Sequence, residues 1–265
     1  MPEGDTVFLA ATRLRAALVG QRLLETDFRV PRLATTNLAG QSVTEVVPRG
    51  KHLFLRTDRG WSLHTHFRMQ GEWHLYRPGQ RWGAKAHEVR VVLRTAPWIA
   101  LGVRLPVCEL LPTGEEARVV GHLGPDPLGP DWDPDEAVRR LRGAPDLAIG
   151  EAVLDQRLIA GAGNVYKSEI CFLRGITPWT PTGEVPDLEG FVALLARLLR
   201  ANRATGNQIT TGDPRPGRGR WVMERTGRPC RRCGTPIRMA RQPSYGTDRP
   251  TYWCPSCQRG QGPPS

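Results

Sequence analysis

The sequence predicts an α+β fold: an N-terminal antiparallel β-sandwich, a helical domain and a C-terminal β-hairpin. Three observations carry this prediction. Residues 21–109 are short stretches that alternate apolar and polar residues. Residues 134–203 repeat apolar residues at helical spacing instead. Four of the six cysteines follow residue 229 as two C-x-x-C pairs, a spacing typical of a metal-binding hairpin.

The N-terminal region is predicted to contain one helix followed by strands. In DTVFLAATRLRAAL, Val7, Leu14 and Leu18 fall on one helical face. Either Asp5 or Thr6 can cap that helix. The strand candidates are separated by Gly, Pro or Asp, as in a β-sandwich. They are SVTEVV, HLFLRT, WSLHTHF and VRVVLRT.

A proline-rich segment, GPDPLGPDWDP, separates the strands from the helical region. The predicted helices lie in DEAVRRLRG, AIGEAVLDQRLIA, GNVYKSEICFLRG and LEGFVALLARLLRANR. The stretch TTGDPRPGRGRW that follows them is predicted to be a flexible basic loop. We therefore expect three domains, 1–124, 125–219 and 220–265.

The charge balance points to a polyanionic partner. The chain has 37 basic and 26 acidic residues, a net charge of +11, which favours nucleic acid first and an anionic membrane second. Between Arg200 and Arg249, 12 arginines stand against three acidic residues. The sequence has no apolar run as long as a membrane span and does not begin with a secretory signal. These features predict a cytoplasmic protein with no membrane partner.

The cysteine pattern predicts one structural zinc ion. A cytoplasmic protein keeps its thiols reduced, so paired cysteines indicate metal binding before disulfides. Twenty residues separate the two pairs, enough for a hairpin that brings them together; the four ligands are Cys230, Cys233, Cys254 and Cys257. A redox pair or a chance pattern is the alternative. Cys108 and Cys171 lie in apolar surroundings and are predicted to be inert core thiols.

A glycine turn between two predicted helices is a candidate anion site. Gly161 and Gly163 interrupt LIAGAGNVYKSEI, and bare backbone N–H groups at a helix start can hold a phosphate. A dinucleotide fingerprint needs a preceding strand, which is missing here, so no small-molecule cofactor is expected. Asn164 can either cap the following helix or donate to an oxyanion.

The first residues, MPEGDTVFLA, allow two interpretations of Pro2. Chain ends tolerate most residues, so Pro2 can be without a role. Alternatively, removal of Met1 exposes a secondary amine, a candidate nucleophile. A chain-terminal amine has a pKa near 7.7–8 against about 10.4 for lysine, so more of it is unprotonated at neutral pH.

Together these residues resemble the formamidopyrimidine-DNA glycosylase and endonuclease VIII family of base-excision repair enzymes. The resemblance covers essentially the whole chain. It is carried by PEG after Met1, RGKHLF, DQRLIAGAGNVYKSEI and the four-cysteine hairpin with RPTYWCPSC. It implies a β-sandwich, a helix–two-turns–helix domain, a zinc finger, and damaged DNA bound between the two domains. It also implies glycosylase and abasic-site lyase activity. A monomer is expected separately, because one enzyme working on one lesion needs no partner subunit.

The resemblance also implies roles for individual residues. Pro2 matches the family's nucleophile, and Glu3 matches its acid/base carboxylate. Lys51 matches a lysine that acts at the sugar and phosphate. Asn164 matches a phosphate-binding asparagine, and Arg249 matches the zinc-finger arginine beside the lesion.

The sequence departs from the family pattern in two places. Asp5 and Thr6 stand where many relatives have Pro-Glu, which puts a lesion contact there in doubt. Arg68, Met69 and Gln70 replace the Gln-Leu-Tyr of endonuclease VIII-like enzymes. Met69 is predicted to fill the space left by a flipped nucleotide; the alternative is a methionine in the sandwich core.

Substrate and competing functions are also predicted. ALGVRLPVCELL has no counterpart of the Arg-Phe-Gly loop of purine-directed members, so oxidised pyrimidines are favoured over 8-oxoguanine and formamidopyrimidines. A non-catalytic zinc-containing nucleic-acid-binding protein is the alternative from another class. His64 and His66 share a strand face, and a structural or DNA-facing role is favoured for them over metal binding. Lys85 and Lys167 are expected on the surface.

Overall fold

The computed structural model describes residues 1–244 and 247–264. Its backbone divides into two compact units. One contains residues 1–2 and 6–122, and the other contains residues 3–5 and everything described from residue 123 onward. The domain limits predicted from the sequence at residues 124 and 219 stay a prediction. Within the described residues, no helix combines the length and apolar character needed to cross a membrane.

The first unit is an antiparallel β-sandwich, as predicted. After helix α1 (Gly4–Leu18), its strands are β1 (Glu25–Phe28), β2 (Val43–Arg49), β3 (His52–Thr57), β4 (Trp61–His66), β5 (Glu72–Tyr76), β6 (Val89–Arg94), β7 (Ile99–Val103) and β8 (Val107–Pro112). One sheet has the order β1-β6-β7-β5 and the other β2-β3-β4-β8. A short helix, α2 (Ala117–Val120), follows.

The sandwich core forms from alternate strand residues and one face of α1. Leu14 and Leu18 of the helix are buried with Leu53 and Leu55 of β3 and Leu93 of β6. Each such side chain contributes about 1.5–3 kcal/mol on burial. This core supports the edges and loops on which several of the predicted site residues lie.

In its described residues, the second unit contains four α-helices and a two-stranded antiparallel sheet. These elements are α3 (Pro134–Arg142), α4 (Ile149–Leu154), α5 (Asn164–Arg174), α6 (Leu188–Asn202), β9 (Arg238–Ser244) and β10 (Thr247–Trp253). Helix α4 is shorter than AIGEAVLDQRLIA predicted. It stops because the Asp155 carboxylate accepts the backbone N–H of Arg157, which starts a turn. Helix α5 ends at Gly175, whose φ of 71° suits glycine.

Helix α5 is buried on all sides, so its polar residues are buried as well. Tyr166 and Ile170 pack with Phe191 of α6. The Glu169 carboxylate accepts the backbone N–H groups of residues 221–223 and fixes that part of the basic loop region. Lys167 was predicted on the surface; the prediction is wrong, since its side chain is fully buried. Lys85 is exposed, as predicted.

Candidate active site

Glu3 caps helix α5 from a distance of 160 positions along the chain. It is fully buried; its Oε2 accepts the N–H of Gly163 at 2.7 Å and its Oε1 accepts the N–H of Val165 at 2.8 Å. The first N–H groups of a helix lack partners within the helix, and the helix dipole favours a negative charge there. The carboxylate that directly follows Pro2 is therefore held in one orientation.

Asp5 fixes the same segment by a second contact. It is buried and accepts the hydroxyl of Tyr166 at 2.9 Å. Burial, together with the carboxylates of Asp5 and Glu3, raises the pKa of Tyr166 above its usual range. The backbone N–H of Gly4 also donates to the carbonyl of Gly161 at 2.9 Å. The sequence predicts only a capping role for Asp5. In the structure, its carboxylate also fixes residues 3–5 to α5 through Tyr166.

The glycine turn before α5 uses its N–H groups within the protein. Gly161 donates to Gln156 Oε1 at 2.9 Å and Gly163 donates to Glu3. In the structure, the anion that Gly163 binds is the protein's own carboxylate; the DNA contact predicted for Gly163 stays a prediction. Asn164 is the first helical residue and not the cap, because Gly163 occupies the N-cap position.

We expect Gly163→Ala to displace Glu3. A Cβ on residue 163 would lie 2.5 Å from Glu3 Cδ, so the carboxylate must move. Overpacking of this kind costs about 1–3 kcal/mol, and turnover on lesion DNA should fall by roughly 10²-fold or more if Glu3 transfers protons. Thermal unfolding and single-turnover rates measure both effects. Gly114→Ala is the matched control, because a Cβ there meets nothing within 4 Å; equal losses in the two variants would contradict the prediction.

Asn164 faces the β-hairpin of the second unit. It is 2% exposed, and its Nδ2 donates to the carbonyl of Pro250 in β10 at 2.7 Å. Arg249, the residue before that proline, is half-buried and pairs with Gln242 of β9. Asn164 thus contacts the residue that directly follows Arg249, where α5 packs against β10. The phosphate contacts of Asn164 and Arg249 stay a prediction.

Lys51 lies in the two-residue turn between β2 and β3. The turn follows Arg49 and uses a φ of 55° at Gly50. Lys51 is half-buried. His52 and His66 pair across β3 and β4; burial lowers the pKa of His52 to about 2 and that of His66 to about 3, and the charge of Lys51 lowers both. The uncharged forms of the His52 and His66 imidazoles are therefore favoured.

A hydrogen-bonded chain connects His52 through His64 to Glu109. His64 Nδ1 lies 2.7 Å from Glu109 Oε1, and His64 Nε2 lies 2.9 Å from His52 Nδ1. A carboxylate accepts, so His64 Nδ1 donates and its Nε2 accepts from His52. This supports the structural role favoured for His64. In residues 1–244 and 247–264, the only group placed to share a metal ion is the cysteine cluster.

The loop between β4 and β5 presents three predicted DNA contacts to solvent. Arg68, Met69 and Gln70 are exposed, Met69 by 50%, so the alternative of a core methionine is wrong. Phe67 is buried, and its carbonyl accepts the N–H of Gly71 at 2.8 Å. The loop is thus closed at its base and carries its apolar tip outward.

The four cysteines converge as their spacing predicted. Sγ atoms lie 3.9 Å apart for Cys230 and Cys257 and 3.5 Å apart for Cys233 and Cys254, and all four lie within 4.8 Å of one another. Sulfurs each about 2.3 Å from one tetrahedral ion are separated by roughly 3.8 Å, so the set fits one metal ion. Burial raises the pKa of Cys108 and of Cys171 to about 12, as expected for inert thiols.

Solved structures share this fold. Lactococcus lactis formamidopyrimidine-DNA glycosylase, bound to DNA containing an abasic site, superposes with a TM-score of 0.80 at 22% identity and covers 97% of this chain and 100% of its own. A complex of that protein with tetrahydrofuran-containing DNA and an inhibitor gives a TM-score of 0.81 at 23% identity, covering 98% and 100%. The fold is therefore that of the formamidopyrimidine-DNA glycosylases.

Sequence comparison shows the family directly. Residues 1–102 match the formamidopyrimidine-DNA glycosylase N-terminal domain, and residues 123–202 match the H2TH (helix–two-turns–helix) domain of the same enzymes. The chain belongs to this family, on its endonuclease VIII-like branch. A probable endonuclease 8 2 of Streptomyces coelicolor is 55% identical over 99% of this chain and 96% of its own. The DNA-(apurinic or apyrimidinic site) lyase Nei2 of Mycolicibacterium smegmatis is 47% identical over 97% and 99%, and an Escherichia coli endonuclease 8 is 31% identical over 97% and 100%.

Proposed function

We propose that this protein is a bifunctional DNA glycosylase and abasic-site lyase of base-excision repair that removes oxidised pyrimidines. The observation that carries the proposal is the buried Glu3 carboxylate, fixed at the start of α5 directly after Pro2. The names of the bacterial relatives support the same activity.

The proposed reaction begins after removal of Met1. The Pro2 nitrogen attacks C1′ of the damaged nucleotide; the N–C1′ bond forms, the glycosidic bond breaks and the base leaves with a proton. The C1′–O4′ bond then breaks as O4′ takes a proton delivered through Glu3, and the resulting C1′=N iminium withdraws electrons from C2′. Both Glu3 oxygens accept backbone hydrogen bonds, which hold the carboxylate in one orientation directly after Pro2. Glu3 takes the C2′ proton, the C3′–O bond breaks, and the strand is cut by β-elimination.

The remaining predicted residues bind DNA in this proposal. Lys51, at the β2–β3 turn, contacts the sugar and phosphate. The exposed Met69 fills the space left by the flipped nucleotide, and Arg68 and Gln70 contact DNA from the same loop. Borohydride reduction during turnover tests the reaction class: a covalent link between Pro2 and lesion DNA is expected. No link from a processed chain would favour the non-catalytic zinc-containing alternative.

The lesion preference has its own test. We expect faster release of 5-hydroxyuracil than of 8-oxoguanine or a formamidopyrimidine from matched duplex and single-stranded oligonucleotides under single-turnover conditions. Faster release of the purine lesions would leave the chemistry in place and overturn the proposed substrate class.

Arg249 is expected to contribute one phosphate contact. Arg249→Ala should weaken binding of lesion DNA by roughly tenfold and lower the slope of log K against log salt by about 0.9. Binding titrations between 50 and 200 mM salt measure the slope. Arg118→Ala, at an exposed position of the sandwich unit, is the control and should leave it unchanged. An unaltered slope in the Arg249 variant would remove this residue from the phosphate contacts.

The four cysteines are proposed to hold one structural zinc ion, since four thiolates leave no open position for substrate. Cys233→Ser or chelation should remove about one zinc per chain and abolish DNA binding, while the sandwich stays folded. Atomic absorption, DNA binding and near-ultraviolet circular dichroism check these results. Cys108→Ser should retain the metal. Binding that survives zinc loss would contradict the proposal.

We propose that the protein acts as a monomer in the bacterial cytosol and nucleoid, without a small-molecule cofactor. The basic surplus of +11 suits a DNA partner there. Light scattering of the DNA complex tests the stoichiometry, and two chains on one lesion would contradict it.

A further inference from the structure

Lys167 carries a buried amine that the proposed reaction does not use. It is one of three lysines in the chain, and its side chain is 0% exposed. Its Nζ lies 2.5 Å from Thr251 Oγ1 in β10, and Thr251 is also fully buried. Burying an amine is costly unless it makes a specific contact. The hydrogen bond between Lys167 and Thr251 therefore holds α5 against β10.

Asn164 makes the preceding connection along the same helix face. It donates to the carbonyl of Pro250, while Lys167, three positions later, contacts Thr251. Residues three apart on a helix lie side by side, so α5 holds two successive residues of β10. Those two residues follow Arg249 directly.

The connection extends to Arg249 itself. The hydroxyl of Thr251 donates to the carbonyl of Arg249 at 3.2 Å. Gln242 pairs with Arg249 across the hairpin, and its Nε2 donates to the carbonyl of Pro178 at 2.8 Å. The backbone of Arg249 is thus held from its own strand and from the neighbouring one.

The surroundings of Lys167 are mixed in charge. Burial lowers its pKa to about 7; the charge of Arg249 lowers it further, and Glu3, Glu151 and Cys171 raise it.

We propose that Lys167 is a positioning residue that acts through Thr251 to hold Arg249 in place for a DNA phosphate. This inference rests on the proposed function of Arg249. Because Lys167 does not touch the DNA in this arrangement, its effect should appear in affinity and not in the chemical step.

A double-mutant cycle tests the inference. Lys167→Met keeps the apolar stem and removes the donor. It should weaken binding of tetrahydrofuran-containing duplex about tenfold, with the single-turnover rate at saturating DNA within twofold of wild type. In an Arg249→Ala background, the same change should weaken binding less than twofold. Additive losses, or unchanged affinity in the single variant, would overturn the proposal. Lys85→Met, at an exposed position, is the matched control.

Thr251 provides the second pair of variants if Lys167→Met does not fold. Thr251→Val removes the hydroxyl and should weaken binding like Lys167→Met, whereas Thr251→Ser keeps it and should restore wild-type affinity. Equal affinity of these two variants would also overturn the proposal. Wild-type protein that neither binds nor cleaves lesion DNA would instead refute the proposed function.

Discussion

Blocking the Pro2 nitrogen should abolish both base release and strand cleavage. Two residues added before Pro2, in place of Met1, convert its amine into an amide, whose lone pair is not available for attack. We expect a rate loss of roughly 10³-fold or more, with lesion DNA affinity within about threefold of wild type. Pro2→Gly, which keeps a primary amine, should lose less because an attacking amine remains.

Borohydride trapping and mass spectrometry measure this prediction directly. The processed chain should give a DNA adduct on Pro2, and the extended chain should give none. The same two residues added at the C-terminus serve as the control and should leave the rate unchanged. Full activity in a chain that retains Met1 would show that another group attacks C1′.

Glu3→Gln is expected to have the second largest effect. The amide retains one acceptor oxygen but places an NH₂ group against the second backbone donor, either Gly163 or Val165. Loss of the proton acceptor should lower the β-elimination rate roughly 10²–10⁴-fold. The unsatisfied buried N–H should lower the free energy of unfolding by about 1–3 kcal/mol.

The two effects of Glu3→Gln can be separated experimentally. Elimination is measured on a preformed abasic site in single turnover, and stability is measured by denaturant unfolding. Glu189→Gln, at an exposed position of α6, is the control. A stability loss with an unchanged elimination rate would leave Glu3 with a purely structural role as the cap of α5.

The sequence predicted those features that depend on local periodicity and spacing. Alternation in HLFLRT and WSLHTHF predicted β3 and β4, because strand side chains alternate between core and surface. The spacing of Cys230 and Cys233 predicted their convergence with the second pair. The exposed position of Met69 followed from a family pattern and not from periodicity, since one methionine has no period.

The features that the sequence did not predict depend on long-range contacts. No local signal connects Glu3 to Gly163. The sequence therefore suggested free N–H groups for a phosphate at this turn, although Gly163 donates to Glu3. Lys167 looked exposed because a polar residue in a helix normally faces solvent, whereas α5 is covered on all sides. His52 was missed because its hydrogen bond to His64 depends on the register of β3 against β4, which only the hairpin turn could have indicated.

The assignment of residues 3–5 to the second compact unit bears on any attempt to dissect the protein. A single cut after residue 122 yields a helical fragment deprived of the carboxylate that neutralises the start of its central helix. It leaves the other fragment with a tripeptide that has lost its hydrogen-bond donors. An isolated helical fragment would keep those hydrogen bonds if residues 3–5 were fused to it.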